Sequence, residues 1–421
     1  MANKLMACML CLSFVSPGLA AGGAAKVDKT PAITPPVVDN KALSPTERPH
    51  FSPMDKGFIE RFLKAEGYIP VDEIKPGMEG YGLTVFQGTK IERFNVKVIG
   101  VIRQVLSGRD AILVRTSGAN MGKNNVVRGM SGSPIYINDR LAGALSYGFD
   151  FSKEPIVGVT PVVDMLDALS FDSSGAPKRL THLPKYQKRD IDGVLMPSSG
   201  PTQVQSGSPH LVPLMAPVSL SGYSTRARQY LEGELKDVGL AVSSGATGGL
   251  SPELISMVKN GGIKNSSKRL AQKPDTDDKP TIHISGNKKV VPGQAVSVML
   301  STGDFASAAT GTATCAFDNK FIAFGHAFLE AGSVSFPLAT AYIHEILPSL
   351  SVSFKLSSPM EVIGTIFADR PWSVGGQVGR MPELLPVKLT VSDEERGVRK
   401  VYNCQVVEHP DLTKTLVTAA V

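Results

Sequence analysis

The chain has 421 residues, more than a single hydrophobic core usually serves, so two domains with connecting segments are expected. Hydrophobic residues make up 42% and charged residues 19%, ordinary values for a globular protein, while 41 glycines and 30 prolines point to many turns and to strands rather than helices. The net charge of +6 is the balance of 44 basic and 38 acidic residues spread along the chain. The densest positive run, KNSSKRLAQK, falls in a polar stretch that reads as a linker, which argues against a nucleic-acid groove.

Residues 1–21 read as a secretory signal peptide: Lys4 precedes an apolar run to Val15, and small residues stand around Ala20 and Ala21. The run is shorter than the roughly 20 residues a spanning helix needs. The LMAC before Cys8 comes too early in the apolar run to act as a lipoprotein box. No later stretch is apolar and long enough to cross a bilayer, so a periplasmic or secreted protein is expected, with no stable membrane span after signal removal. Residues 22–57 are proline-rich, polar and without periodicity, as in a linker or disordered arm.

A β domain is expected over 58–170. It opens with a short helix in FIERFLKAEGY, continues with strands in GLTVF, FNVKVIGVIRQVL and DAILVR, and closes with a helix in GVTPVVDMLDALSF. In that last segment Thr160 is placed to cap and Pro161 to take the first helical position. Residues 171–285 read as a linker with a helical connection in STRARQYLEGELKDVGLAV. The β pattern resumes over 286–421 in AVSVML, ASAATGTATCAF, KFIAFGHAF, EVIGTIF and PVKLTV.

With Cys8 and Cys11 in the signal, Cys315 and Cys404 remain, and one disulfide and two buried thiols stay open as alternatives. His344 and Glu345 continue as ILP without the second histidine of a zinc helix, so no metal and no cofactor are expected.

The chemistry concentrates in GMSGSPIYINDRLAGALSYG, Gly129 to Gly148. Glycines around a serine supply an exposed hydroxyl and inward backbone N–H groups, here those of Gly129 and Ser131, as an oxyanion site. PIYI, a turn at Asn138 and Asp139, and LAGALSYG then form an antiparallel hairpin. An α/β-hydrolase elbow is excluded, since Ser133 stands where its last glycine belongs and no helix follows. The pattern resembles a chymotrypsin-like barrel, with Ser146, Tyr147 and Gly148 on the strand that pairs with substrate backbone. Ser131 is preferred as nucleophile over Ser133, which precedes Pro134 and starts a strand.

Of the histidines, His50, His182, His210 and His283 lie in linker-like segments and His409 near the C-terminus. His326, where a β run meets Gly325, suits a general base at a barrel edge.

GMSGSP, AFGH and SSPMEVIGTIF, with their glycine spacing from about Gly80 to Val378, resemble the SpoIVB-type serine peptidase family. The resemblance implies trypsin-like chemistry on a β-barrel fold. Two departures stand out. Ser131 precedes His326 here, the reverse of that family's segment order. Where the family carries Thr-Asp-Pro, this chain has RTSG, with Ser117 in the aspartate's place, leaving Asp110, Asp150 and Asp369 as open candidates for the acid.

The expected fold class is therefore mainly β, two chymotrypsin-like β-barrel domains with a few short helices. The expected function is a secreted or periplasmic serine endopeptidase acting on a protein or peptide substrate, in signalling or envelope processing. The catalytic pair would be Ser131 and His326, with Gly129 and Ser131 N–H at the oxyanion and Ser146, Tyr147 and Gly148 binding substrate. The alternative from another class is a peptidase-like envelope protein, weak or inactive in catalysis, that holds peptides in the same cleft.

Overall fold

A computed structural model describes residues 67–106, 109–119, 127–149, 154–169, 211–215, 217–238, 240–247, 288–348 and 353–421, with a few shorter pieces. The signal, the proline-rich arm, all of FIERFLKAEGY but Leu63, Gly67 and Tyr68, and the candidate acid Asp150 lie outside the described residues, Cys11 and Leu12 excepted.

In the first half of the chain the strands are β1 (Glu79–Val85), β2 (Ile91–Leu106), β3 (Arg109–Ser117), β4 (Val127–Arg128), β5 (Pro134–Ile137), β6 (Arg140–Phe149) and β7 (Ile156–Pro161). All but β4 pair in the order β6-β5-β1-β2-β3-β7, and β7 returns to β6, closing a six-stranded antiparallel barrel. Alternation of side chains sends Phe94, Val96 and Val98 of β2 to the same interior as Ile112 and Val114 of β3 and Ile135 and Ile137 of β5. The hairpin β5–β6 turns at Asn138 and Asp139, with φ of 51° and 58°. Positive φ at both positions is what a two-residue loop needs to match strand twist, and Asn and Asp tolerate it best after glycine.

The second half builds β11 (Ala295–Gly303), β12 (Ala306–Phe317), β13 (Lys320–Ala323), β14 (Gly332–Leu347), β15 (Ser353–Arg370) and β16 (Ser373–Val378), which pair as β11-β14-β15-β16-β13-β12 and back to β11. A hairpin of β17 (Leu384–Asp393) and β18 (Val398–Val407) continues from β11. The fold is thus mainly β, with two barrels, as expected. The short helices are α1 (Val162–Met165), α2 (Thr225–Asp237) and α3 (Leu412–Ala420). The Ser224 hydroxyl caps α2 by accepting from Ala227 N–H. None of the helices among the described residues is long and apolar enough to cross a membrane.

Three local expectations need correction. Thr160 does not cap a helix: it lies in β7, which Pro161 ends, and its hydroxyl donates to the Gly325 carbonyl at 2.7 Å in the other barrel. The helix it was expected to start is one turn, Val162–Met165, followed by a 3₁₀ turn to Ala168. The stretch 171–285, read as connecting, adds β8 (Leu211–Pro213) to β6 of the first barrel and β9 (Val218–Ser221) to β12 of the second, with β10 (Val242–Thr247) beside β9. Cys315 and Cys404 are buried thiols with no disulfide between them, and burial pushes the Cys404 thiol up to about 12.

Candidate active site

The turn Gly129–Ser133 is wedged between the barrels. Ser131 O accepts from Thr312 N–H at 2.8 Å, the Thr312 hydroxyl donates to Gly129 O at 3.2 Å, and the Thr314 hydroxyl donates to Gly132 O at 2.8 Å. Gly132, at φ +91°, lies so close to β12 that a Cβ there would stand 1.9 Å from Thr312 O and 2.5 Å from Phe324 N. Phe324 is two residues before His326, so this glycine brings the serine turn onto the histidine segment. Gly325, at φ +72°, packs against β6 equally closely, since its Cβ would fall 2.0 Å from Ser146 Oγ. The structure therefore brings the segments of Ser131, Ser146 and His326 together at the junction of the barrels. Tyr147 also belongs there, its ring centroid 6.4 Å from that of His326.

The hydrogen bonds separate the two serines. Ser133 Oγ donates to Met130 O at 2.6 Å and is 0% exposed, so its hydroxyl holds the turn closed. Ser131 Oγ makes no hydrogen bond among the described residues, and neither does its N–H. Of the two expected oxyanion donors, then, the Ser131 N–H is available, whereas the Gly129 N–H donates to Leu214 O at 3.1 Å.

His326 is 1% exposed. Its Nδ1 lies 2.7 Å from Ala327 O, and because a carbonyl can only accept, Nδ1 carries the proton and Nε2 is the bare acceptor. Nε2 is buried with no partner. Burial holds the imidazole down at about 4, against the smaller upward pull of the Ala327 carbonyl. The folded value lies below that of an unfolded histidine, so this group's contribution is present above pH 6.5 and is lost as pH falls toward 4. The difference corresponds to about 3 kcal/mol. Urea unfolding at pH 7 and pH 4 should therefore show His326→Gln losing markedly less stability on acidification than wild type. Equal losses would mean that His326 is not held neutral by burial.

Neither of the candidate acids among the described residues, Asp110 and Asp369, is bonded to this histidine. Asp110 sits at the surface with Arg103, bonded at 2.6 Å, and Ser117 is exposed at the end of β3. Asp369 is buried but accepts from Phe328, Leu329 and Ala331 N–H at 2.7, 2.7 and 3.1 Å. It pins the loop that follows His326 and makes no bond to the ring, and its carboxyl is raised to about 6 by burial against the downward pull of the three N–H groups. Asp369→Asn sets an amide NH₂ among these donors and should lower stability by about 3 kcal/mol. Unfolding at the wild-type urea midpoint would remove the loop-holding role.

Two contributors carried no sequence signal. One is the Ala327 carbonyl, whose role depends only on backbone direction. The other is Lys355, 2% exposed, whose side chain packs on Gly129 and donates to the Thr84 hydroxyl at 2.8 Å, with burial lowering its ammonium to about 7. It sits in β15 among alternating polar residues, where it reads as a surface lysine. His344 lies apart, bonded to Ser358 at 2.8 Å.

Two six-stranded barrels thus meet with a glycine-flanked serine turn from one and a histidine segment from the other at their junction. Residues 65–165 match the family model of the SpoIVB peptidase S55, a stretch that holds the whole serine turn and its hairpin. The resemblance read from GMSGSP is borne out over that stretch, and His326 lies beyond it. No curated protein and no solved structure matches the chain.

Proposed function

We propose that the protein is a serine endopeptidase acting on protein substrates outside the cytoplasm, in the periplasm or after secretion, in signalling or envelope processing. The observation that carries this reading is the buried Nε2 of His326, bonded to nothing, on a segment packed against the turn of Ser131, so that a small closure of Oγ onto Nε2 would form the pair. A buried acceptor left unpaired costs stability, of order 1–3 kcal/mol, which a merely structural histidine has no reason to bear.

In this reading Ser131 Oγ attacks the substrate carbonyl as its proton passes to Nε2. The resulting oxyanion is met by the Ser131 and Gly129 N–H groups once Gly129 is released from Leu214. Nε2–H then protonates the departing amine as the C–N bond breaks, and water, deprotonated at Nε2, releases the acyl group and regenerates the serine. The Ala327 carbonyl holds the tautomer that an aspartate holds elsewhere, without an aspartate's charge to stabilise the imidazolium, so a low turnover is expected.

The second reading, a peptide-holding protein of little activity, is favoured by the lack of a carboxylate at the ring among the described residues and by the engaged Gly129 N–H. Labelling with a fluorophosphonate probe decides between them: Ser131-dependent labelling supports the peptidase, and protein that stays unlabelled with every barrel contact intact supports the binder.

A further inference from the structure

Strand β8 runs along the free edge of β6, on the residues expected to bind substrate. We propose that Leu211–Leu214 occupy the substrate cleft as an internal pseudo-substrate, which assigns the site to extended polypeptide carrying an aliphatic residue, preceded by proline, just before the scissile bond. As a statement of substrate class this rests on the peptidase reading, whereas the occupancy itself rests on geometry alone.

Leu214 makes both backbone bonds required of the residue whose carbonyl is attacked. Its N–H donates to Ser146 O at 2.8 Å, and its carbonyl oxygen accepts from Gly129 N–H at 3.1 Å, one of the two groups placed to receive an oxyanion. Upstream the pairing is antiparallel, with Pro213 opposite Tyr147, Val212 opposite Gly148 and Leu211 opposite Phe149. Antiparallel ladders alternate bonded and non-bonded pairs, so with Leu214 bonded to Ser146 the next bonded pair is Val212 with Gly148. Proline, which has no N–H, then falls on the non-bonded position where none is needed.

The side chains fill apolar sites in the same register. Leu214 is 2% exposed in the cluster of Met130, Leu145 and Val157, and Leu211 is buried with Tyr147 and Trp372. A strand held by backbone bonds, with Leu211 and Leu214 each anchored in an apolar site, is the geometry of peptide capture at a sheet edge. The peptide bond that follows the captured carbonyl is Leu214–Met215.

The test uses the full chain carrying Ser131→Ala, in which no turnover interferes, and Leu-Val-Pro-Leu-amide carrying fluorescein on its N-terminal amine, followed by anisotropy. Leu214→Gly empties the apolar site. Val212→Pro, at a half-buried edge position, removes the N–H of a bonded pair and serves if Leu214→Gly fails to fold. The opened variants should bind the peptide at least tenfold more tightly than the parent, and a peptide ending in Asp should not compete. Equal binding by parent and opened variants, or equal competition by the Asp peptide, overturns the proposal.

With Ser131 present, Val212→Pro should label with fluorophosphonate about tenfold faster than wild type, and an unchanged rate argues against occupancy. If no variant labels at all, the peptidase reading fails, and the peptide-binding arm still decides whether the cleft is self-occupied.

Discussion

Replacing Ser131 by alanine is expected to abolish fluorophosphonate labelling and to reduce peptide hydrolysis by on the order of 10⁴-fold or more, to whatever rate binding and the oxyanion donors sustain. His326→Ala should fall to nearly the same level, because the hydroxyl is not nucleophilic until Nε2 takes its proton, and the double variant should be scarcely worse than either. Ser133→Ala should keep most activity and lose about 1 kcal/mol of stability, since it removes only the bond to Met130 O. Hydrolysis of labelled casein and thermal unfolding of the four proteins would check this. Ser133→Ala inactive beside an active Ser131→Ala would invert the assignment, and full activity in His326→Ala would return the protein to the peptide-holding reading.

Gly132→Ala should destabilise the molecule more than any other single methyl addition in the turn, by on the order of 3–5 kcal/mol. The added Cβ meets two backbone atoms of the other barrel, Thr312 O at 1.9 Å and Phe324 N at 2.5 Å, and the residue is already at φ +91°. Backbone cannot rotate away as a side chain can, so the barrels must separate locally and the serine turn leaves the histidine. Gly77→Ala is the control: φ is +87° there, but nothing lies within 4 Å. It should cost only the roughly 1–2 kcal/mol of a left-handed non-glycine residue. Calorimetry on both variants separates conformational strain from the clash, and similar melting temperatures would mean that the barrels are not held together at Gly132.

The same junction explains why a histidine held at about 4 remains serviceable. Burial keeps the ring neutral at neutral pH, which is the form that accepts a proton, yet it also makes the imidazolium costly, by about the same 3 kcal/mol that burial adds to acid sensitivity. Among the described residues no carboxylate is bonded to the ring to offset this. The acid limb of kcat/KM is therefore expected well below the usual histidine range, at low absolute rates.

Much of this was legible in the sequence because it depends on local rules. Alternating apolar runs named the strands, Asn138–Asp139 named the hairpin, and the glycines around Ser131 named a turn with spare N–H groups. The dyad candidates also came from local context, a serine between glycines and a histidine after a strand. Thr160 was misread because a β-branched hydroxyl before proline has the local signature of a cap, and only the neighbouring barrel offers it the Gly325 carbonyl instead. LVPL reads as linker because so short a run, broken by Pro213, shows no period, although Leu211–Pro213 pair with β6 of the first barrel.

By itself the sequence determined the mainly β class, the two strand-dense halves and the serine turn, since each follows from neighbours a few residues apart. Only the tertiary structure decided that the Ser133 hydroxyl is committed to Met130 O, that Asp369 holds a loop, that His326 Nδ1 meets Ala327 O and that Leu214 bonds both Ser146 and Gly129. The longer of these contacts join residues tens of positions apart, and the approach of Gly132 to Thr312 and Phe324 spans nearly two hundred; both depend on closure of two barrels and on the absence of a side chain at Gly132, and no local pattern encodes which backbone atom a distant donor will meet.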